Sequence, residues 1–228
     1  VANHSTYRDD PLGRLSRTAS YVTATAFGAM PEVEKSIKMV SSAHRPVKGT
    51  SSRGEKYSAG NPEMAAWVHN ALIDSFLVSY QSFGPSSLKH EETNRYVYEQ
   101  TNLGKLMKAS PLPENSESLS SWLSNNPKIG KSKEGSEAVT FLRKPPLPFF
   151  TRAAYKILFN AAVATMPEEL LKAIGVTPKK GAKTAGKFLT KILRYALGFS
   201  PAWAAALDRS GTKRPTGIRF RDTSGVTR

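Results

Sequence analysis

The chain has 228 residues, which is enough for one large domain or two small ones with a full hydrophobic core. Hydrophobic residues make up 39% and charged residues 22% of the sequence, a balance typical of globular rather than disordered proteins. Cysteine is absent, which excludes a disulfide scaffold, a thiolate metal site, a cysteine nucleophile and covalently attached c-type haem.

The formal net charge of +15 is concentrated near the carboxyl terminus. Residues 178–228 contain twelve Lys and Arg but only two Asp. This asymmetry predicts a helix or tail that contacts an anionic surface, either phosphates or acidic lipid; a solvated, weakly ordered tail is the alternative. We therefore expect a helical domain over residues 1–177 and a basic helix with a loose tail over residues 178–228.

Membrane-spanning and secretory segments are not visible in the sequence. The most apolar stretch, Phe149 to Met166, is interrupted by Arg152, Lys156 and Asn160. The first ten residues have neither a basic nor an apolar region of a signal peptide. We expect a cytoplasmic or peripherally membrane-associated protein, and because Val1 is not preceded by Met we also expect part of the domain to lie upstream.

The first predicted helix begins with Asp10 as its N-cap and Pro11 as its first residue, and runs to Phe27 before Gly28. A second helix is predicted over residues 31–43. Its apolar residues are spaced so that they share one face with the histidine that follows: Val33, Ile37, Val40 and His44.

A short hairpin is predicted from residues 47–50 and 56–59, followed by a helix over residues 62–83. That helix is apolar nearly all round, so we expect it in the middle of a bundle, with Asn70 as the hydrogen-bond donor to Asp74. Further helices are predicted over residues 87–107, 116–124, 136–143, 149–166, 168–174 and 183–197, and residues 212–228 are predicted to be loose. The expected fold class is all-α with at most one small hairpin.

The four histidines do not form a metal-ligand doublet in the sequence. His90 lies in a hydrophilic turn and is predicted to be a surface residue, while His4 is close to the chain start. His44 and His69 are the two that helical geometry places on apolar surfaces. A histidine on an apolar face is more often a satisfied core residue than a ligand, so the residues alone favour a structural role.

A basic surface that carries a hydroxyl is predicted on the first helix, where Arg14 and Thr18 lie four residues apart beside Arg17. An arginine there can clamp a carboxylate with two hydrogen bonds, or pair with Asp10 at the helix surface. The pattern is too short to decide between these two interpretations.

A set of weak motifs occurs in a specific order along residues 1 to about 200. They are His4-Ser5, Asp10-Pro11-Leu12-Gly13-Arg14-Leu15-x-Arg17-Thr18, Phe27-Gly28, His44-x-x-Val47-x-Gly49-Thr50, Tyr57-Ser58-Ala59-x-x-Pro62, Trp67-Val68-His69-x-x-Leu72-x-Asp74-Ser75, Tyr80 with Gly84, and Met166-Pro167-x-x-Leu170-Leu171-x-x-x-Gly175. In this order they resemble the catalytic domain shared by latex-clearing proteins (rubber oxygenases) and the oxygenase of the mycophenolic-acid pathway.

This resemblance implies an all-helical, globin-like core that holds a non-covalent haem b and uses dioxygen to cleave carbon–carbon double bonds of a hydrophobic substrate. It implies His44 as the axial iron ligand and Arg14 and Arg17 as cofactor-binding residues. It also implies catalytic roles for Arg14, Thr18 and His69. The sequence does not exclude His69 as the iron ligand instead of His44.

Two departures from the family pattern concern the substrate. Arg17 stands where latex-clearing proteins have a lysine that binds the iron, and no glutamate precedes Glu32. We therefore expect a hydrophobic small molecule or lipid rather than polyisoprene.

The alternative function is a non-enzymatic basic helical module that binds nucleic acid or an acidic membrane surface. It rests on a run of lysines near helical spacing: Lys179, Lys180, Lys183, Lys187 and Lys191. Of the two partners, we expect peripheral contact of residues 178–228 with an acidic membrane rather than nucleic acid.

Overall fold

The structure, a computed structural model, describes residue 4 and residues 7–216, except for the side chain of Phe150. In this part of the chain, ten helices and one two-stranded antiparallel hairpin are present. The helices are α1 (Pro11–Phe27), α2 (Met30–His44), α3 (Pro62–Phe83), α4 (His90–Leu106), α5 (Ser116–Ser124), α6 (Lys133–Arg143), α7 (Phe149–Val163), α8 (Glu168–Ile174), α9 (Ala182–Leu197) and α10 (Pro201–Arg209), and the strands are β1 (Lys48–Thr50) and β2 (Lys56–Ser58). The all-α prediction with one hairpin is confirmed.

Local capping explains where the helices begin. The Asp10 side chain accepts a hydrogen bond from the Gly13 amide at 2.9 Å, and Pro11 occupies the first turn of α1. At the start of α3, the Asn61 side chain accepts from the Glu63 amide at 2.8 Å. The cap-plus-proline signal therefore predicted both starts correctly, because it depends only on residues that are neighbours in sequence.

The described residues separate into two compact units, and the first consists of residue 4 and residues 44–189. Its core lies where α3, α4 and α5 pack together. Beside this core, the ring centroids of Trp67 and Trp122 lie 5.7 Å apart. The fully or almost fully buried members of this core are Ile73, Leu77, Val97, Leu119 and Leu123. The apolar faces of these three helices thus meet in one cluster.

Helix α3 is buried along one face only, which corrects the expectation of a helix buried all round. Its buried residues are Ala66, His69, Asn70, Ile73 and Leu77. On other faces of the same helix, Val68 is 59% and Phe76 is 44% exposed. The composition of a helix indicates how apolar it is, but which of its faces are covered depends on the neighbours that the fold supplies.

The expected hydrogen bond between Asn70 and Asp74 is also wrong. The Asn70 amide nitrogen donates instead to the backbone carbonyl oxygen of Pro111, at 3.2 Å. Asp74 is half-buried, and burial raises the pKa of its carboxyl. Its remaining exposure allows water to satisfy the carboxylate without a protein donor.

Within the described part of the chain, the second compact unit consists of residues 7–43 and 190–216, and in it α1 contacts α10. Helix α10 was not predicted from the sequence, although Ser200-Pro201 is a start signal like Asn61-Pro62. Residues 212–216 form no helix or strand, as predicted, and the rest of the predicted loose tail lies outside the described residues. The predicted boundary between residues 177 and 178 concerns charge and function, and stays a prediction.

None of the helices in the described ranges is long and apolar enough to cross a membrane.

Candidate functional site

His44 is the last residue of α2 and its side chain is exposed to solvent. Along the same face of α2, Val33 is buried and both Ile37 and Val40 are half-buried. The His44 backbone carbonyl accepts a hydrogen bond from the Val47 amide at 3.0 Å, which fixes the chain where the helix ends. The expectation that His44 lies on an apolar surface is therefore wrong: the helix ends at this residue, and its ring is exposed beyond the face that carries Val33.

His69 lies in the middle of α3 and is only 4% exposed. Its Nε2 atom lies 3.1 Å from the backbone carbonyl oxygen of Gln100. Because a carbonyl oxygen only accepts, the neutral ring carries its proton on Nε2 and has a lone pair on Nδ1. Burial lowers the pKa of His69, and the hydrogen bond to Gln100 opposes part of that shift. The ring is held as a neutral imidazole.

The other two histidines have partners. The Nε2 atom of His4 lies 3.0 Å from the Tyr57 hydroxyl, and the two rings meet edge to face with centroids 6.0 Å apart. The Nδ1 atom of exposed His90 lies 3.3 Å from a Glu117 carboxylate oxygen, which agrees with its predicted surface position. All four histidines lie in the described part of the chain, and there His44 alone has both ring nitrogens uncommitted.

The basic surface on α1 belongs to the second unit, and its three predicted residues are exposed. Arg17, not Arg14, forms the ion pair with Asp10, with Nη1 and Oδ2 separated by 3.2 Å. The Thr18 hydroxyl donates to the backbone carbonyl oxygen of Arg14 at 3.1 Å. Within the described ranges, the Arg14 guanidinium has no hydrogen bond or ion pair, so it is the arginine available for an anion.

A surface cavity of about 560 Å³ lies in the second unit, between the end of α1 and α10. Aromatic and aliphatic side chains of Phe27, Trp203 and Leu207 line it, together with Arg209, whose guanidinium donates to the Phe27 carbonyl oxygen. None of the predicted site residues lines this cavity. Sequence reasoning missed it because α10 was not predicted, although the Ser200-Pro201 signal was there to find it.

The buried polar residues of α3 add one more feature to the first unit. Asn70 is fully buried, and while its amide nitrogen donates to Pro111, its Oδ1 atom has no hydrogen-bond partner within the described ranges. Groups of three or more His, Asp or Glu side chains that could hold a metal ion do not occur among the described residues.

Comparison with known protein families assigns the class of the protein: the chain is a member of an oxygenase family. The family is described as "ER-bound oxygenase mpaB/B'/Rubber oxygenase, catalytic domain", and it matches residues 1–196, most of the chain. The resemblance found in the ordered motifs is confirmed. The curated proteins and the solved structures with which the chain was compared contain no match.

Proposed function

We propose that the protein is a haem b-dependent oxygenase that acts on a hydrophobic small molecule or lipid with dioxygen, and that His44 is the axial iron ligand. Family membership supports oxygenase activity. The observation that carries the haem proposal is the exposed ring of His44, the one histidine whose two ring nitrogens have no partner among the described residues. A haem iron needs one such ligand from the protein, since the porphyrin supplies the other four nitrogens.

The residues of this chain fit that group chemically. A neutral imidazole nitrogen of His44 would hold the iron. The exposed guanidinium of Arg14 offers paired donors to a propionate carboxylate. Arg17, which pairs with Asp10, is the second cofactor-binding residue that we propose. When bound, haem supplies the activation of dioxygen.

The two other proposed catalytic residues are Thr18 and His69. The Thr18 hydroxyl hydrogen is engaged by the Arg14 carbonyl, so its oxygen is left to accept a hydrogen bond from a polar group of the substrate. The Nδ1 lone pair of His69 can accept a proton, and its lowered pKa keeps that lone pair free at neutral pH. Of the two histidines, His69 is the less accessible to an external iron, because its ring is buried whereas that of His44 is exposed.

The haem proposal is tested by reconstitution of the purified protein with haemin, followed by an ultraviolet–visible spectrum. We expect a Soret band for the wild-type protein and its loss in His44→Ala. His90→Ala is the matched control, since it also removes an exposed histidine from a helix. His69→Gln keeps a donor to Gln100 and should retain the band. A wild-type protein that stays colourless, or a His44→Ala variant that still retains haem, contradicts the proposal.

Oxidative cleavage of a carbon–carbon double bond is the reaction we propose for the holo-protein. Oxygen uptake is measured with a polyisoprene oligomer and with an unsaturated fatty acid, and carbonyl products are identified by mass spectrometry. We expect the fatty acid to be the better substrate, because Arg17 departs from the pattern of the rubber-cleaving members. Cleavage of the oligomer alone would contradict this choice of substrate.

A peripheral contact between residues 178–228 and an acidic membrane is the second part of the proposal. The exposed lysines of α9 favour it: Lys183, Lys187 and Lys191 follow one another at intervals of four residues. An oxygenase of lipophilic substrates gains by lying near the phase in which they dissolve. Binding to anionic vesicles that weakens as salt rises is the expected result, and unchanged binding across a salt titration contradicts it.

A further inference from the structure

Helix α9 presents two different stripes to solvent. One is basic and consists of Lys183, Lys187 and Lys191; the other, which we call the apolar stripe, consists of Phe188, Ile192 and Tyr195. Phe188 is 68%, Ile192 46% and Tyr195 87% exposed. Since the two sets are spaced at three and four residues, each forms a continuous line along the helix, and the two lines lie side by side.

The opposite face of α9 is the one held against the protein. Gly186 is buried, and a Cβ atom placed there would clash with the Cβ atom of Ala161 on α7 and lie 3.2 Å from the Phe83 ring. This close approach requires glycine at position 186. Phe188 follows Gly186 by two positions, and two positions along an α-helix place a side chain on nearly the opposite face. The Phe188 side chain therefore points away from Ala161 and Phe83. The apolar stripe is therefore outward because the inner face is already packed.

We propose that α9 binds an anionic lipid surface in the plane of the interface, with its apolar stripe inserted among the acyl chains and its basic stripe against the headgroups. This deepens the peripheral contact proposed for residues 178–228 and does not depend on the haem. A helix with large apolar side chains beside several lysines is the composition of an interfacial helix. Three large exposed apolar residues in one line are uncommon on a surface that meets only water.

Charge identifies the occupant of this face as anionic. Asp and Glu are absent from residues 170–207, and Lys179 and Lys180 precede the helix. A protein partner of mixed charge needs both acidic and basic groups opposite its own, and this segment supplies only basic ones. A layer of lipid phosphates is negative throughout and therefore matches it. Binding to phosphate groups alone does not require the apolar stripe. The acyl chains of a lipid surface provide an apolar phase into which its aromatic and aliphatic side chains can be transferred from water.

The test uses the full chain and vesicles of phosphatidylcholine, with and without phosphatidylserine, in a co-flotation assay. Replacing the apolar stripe, F188S/I192S/Y195S, should weaken binding to the anionic vesicles by about tenfold or more, with all lysines intact. Replacing the basic stripe, K183Q/K187Q/K191Q, should weaken it about a hundredfold. Two matched controls should bind like the wild type, because they replace exposed residues of the same kinds elsewhere. The control for the apolar stripe is L12S/M39S/L142S, and the control for the basic stripe is K35Q/K38Q/K105Q.

Insertion is measured directly with a single cysteine, which labels uniquely because the chain has none. An environment-sensitive dye on Phe188→Cys should shift to shorter wavelength on anionic vesicles and be quenched by brominated lipid. The same dye on Tyr98→Cys, at an exposed position of α4, should do neither. Circular dichroism of each variant verifies that the fold is retained.

The outcomes separate this inference from the charge-based contact. If the F188S/I192S/Y195S variant binds like the wild type and salt still releases it, contact by charge stands and insertion is overturned. If the wild type dimerises without lipid and that variant is monomeric, the stripe is a self-association surface and the inference is overturned. It is equally overturned if the lysine substitutions abolish binding to a DNA duplex but leave vesicle binding unchanged.

Discussion

The Nε2 atom of His69 on α3 lies 3.1 Å from the backbone carbonyl oxygen of Gln100 on α4. This hydrogen bond joins two helices of the first unit and determines which ring nitrogen carries the proton. The hydrogen bond allows the polar ring of His69 to be packed in the core, whereas the ring of His44 is exposed.

The buried His69 should make stability depend on pH. Its pKa is lowered in the folded protein, so below the ordinary histidine pKa of about 6.5 the unfolded chain binds more protons than the folded one. The free energy of unfolding is therefore highest above that pH and falls as the pH drops towards the folded-state pKa, by at most about 1.4 kcal/mol per pH unit. Urea unfolding between pH 7.5 and pH 5 measures the slope.

In the same titration, His69→Gln should lose this part of the pH dependence, whereas His90→Gln, which removes an exposed histidine, should keep it. Equal slopes for the wild type and His69→Gln would show that the ring titrates in the folded state as it does in the unfolded chain.

Gly104 on α4 leaves the space that Leu112 and His69 fill. A Cβ atom at position 104 would clash with the Leu112 side chain and lie 3.1 Å from His69 Nε2. Gly104→Ala should lower the free energy of unfolding by about 1–2 kcal/mol, because the cost of overpacking exceeds the gain in helix propensity. Gly60→Ala is the control, since a Cβ atom placed at position 60 would lie 3.7 Å from its nearest neighbour, the Ser58 hydroxyl oxygen. An unchanged denaturation midpoint for Gly104→Ala would mean that Leu112 moves aside without cost.

Asp74 should destabilise the folded protein at neutral pH. Burial raises its pKa above the ordinary value, so the folded state favours the protonated carboxyl and ionisation costs stability. Asp74→Asn should raise the free energy of unfolding at pH 7 by less than about 1 kcal/mol, because the half-exposed carboxylate is still screened by water. The gain should vanish below about pH 4, where the carboxyl is protonated in both states. A gain that persists at low pH contradicts this origin.

Asp74 also has a spectroscopic consequence through Tyr96. Burial first, and the Asp74 carboxylate second, raise the pKa of the Tyr96 phenol to about 12. An alkaline absorbance titration of Asp74→Asn should therefore show one tyrosine ionising at lower pH than in the wild type, whereas Asp9→Asn should leave the titration unchanged.

The N-cap of α1 should contribute to stability through Asp10. Its carboxylate accepts from the Gly13 amide and pairs with Arg17, so Asp10→Ala should cost about 1 kcal/mol. Asp9→Ala removes the neighbouring exposed carboxylate and should change stability by less than about 0.5 kcal/mol. Chemical denaturation followed by far-ultraviolet circular dichroism compares the two. Equal effects would mean that only the lost negative charge matters, not the cap.

Much of the secondary structure was determined by the sequence alone, because its signals are local. Asp10-Pro11 and Asn61-Pro62 start helices through amides two or three residues away, and the glycines that follow end them. The ordered motifs likewise identified the family from residues that need no structure to be read. The same kind of local signal, Ser200-Pro201, stands at the start of α10, which was not predicted.

Only the tertiary structure decided which side chains have partners and which faces are covered. The acceptors for His69 and Asn70 lie 31 and 41 residues away, beyond any spacing rule. Among the described residues, His44 is the histidine whose two ring nitrogens have no partner. Periodicity shows that α9 is amphipathic. It does not show which face points outward, and that was decided by Gly186 against Ala161 and Phe83. Partners distant in sequence meet only after the chain has folded, and their contacts are therefore not encoded in any local pattern.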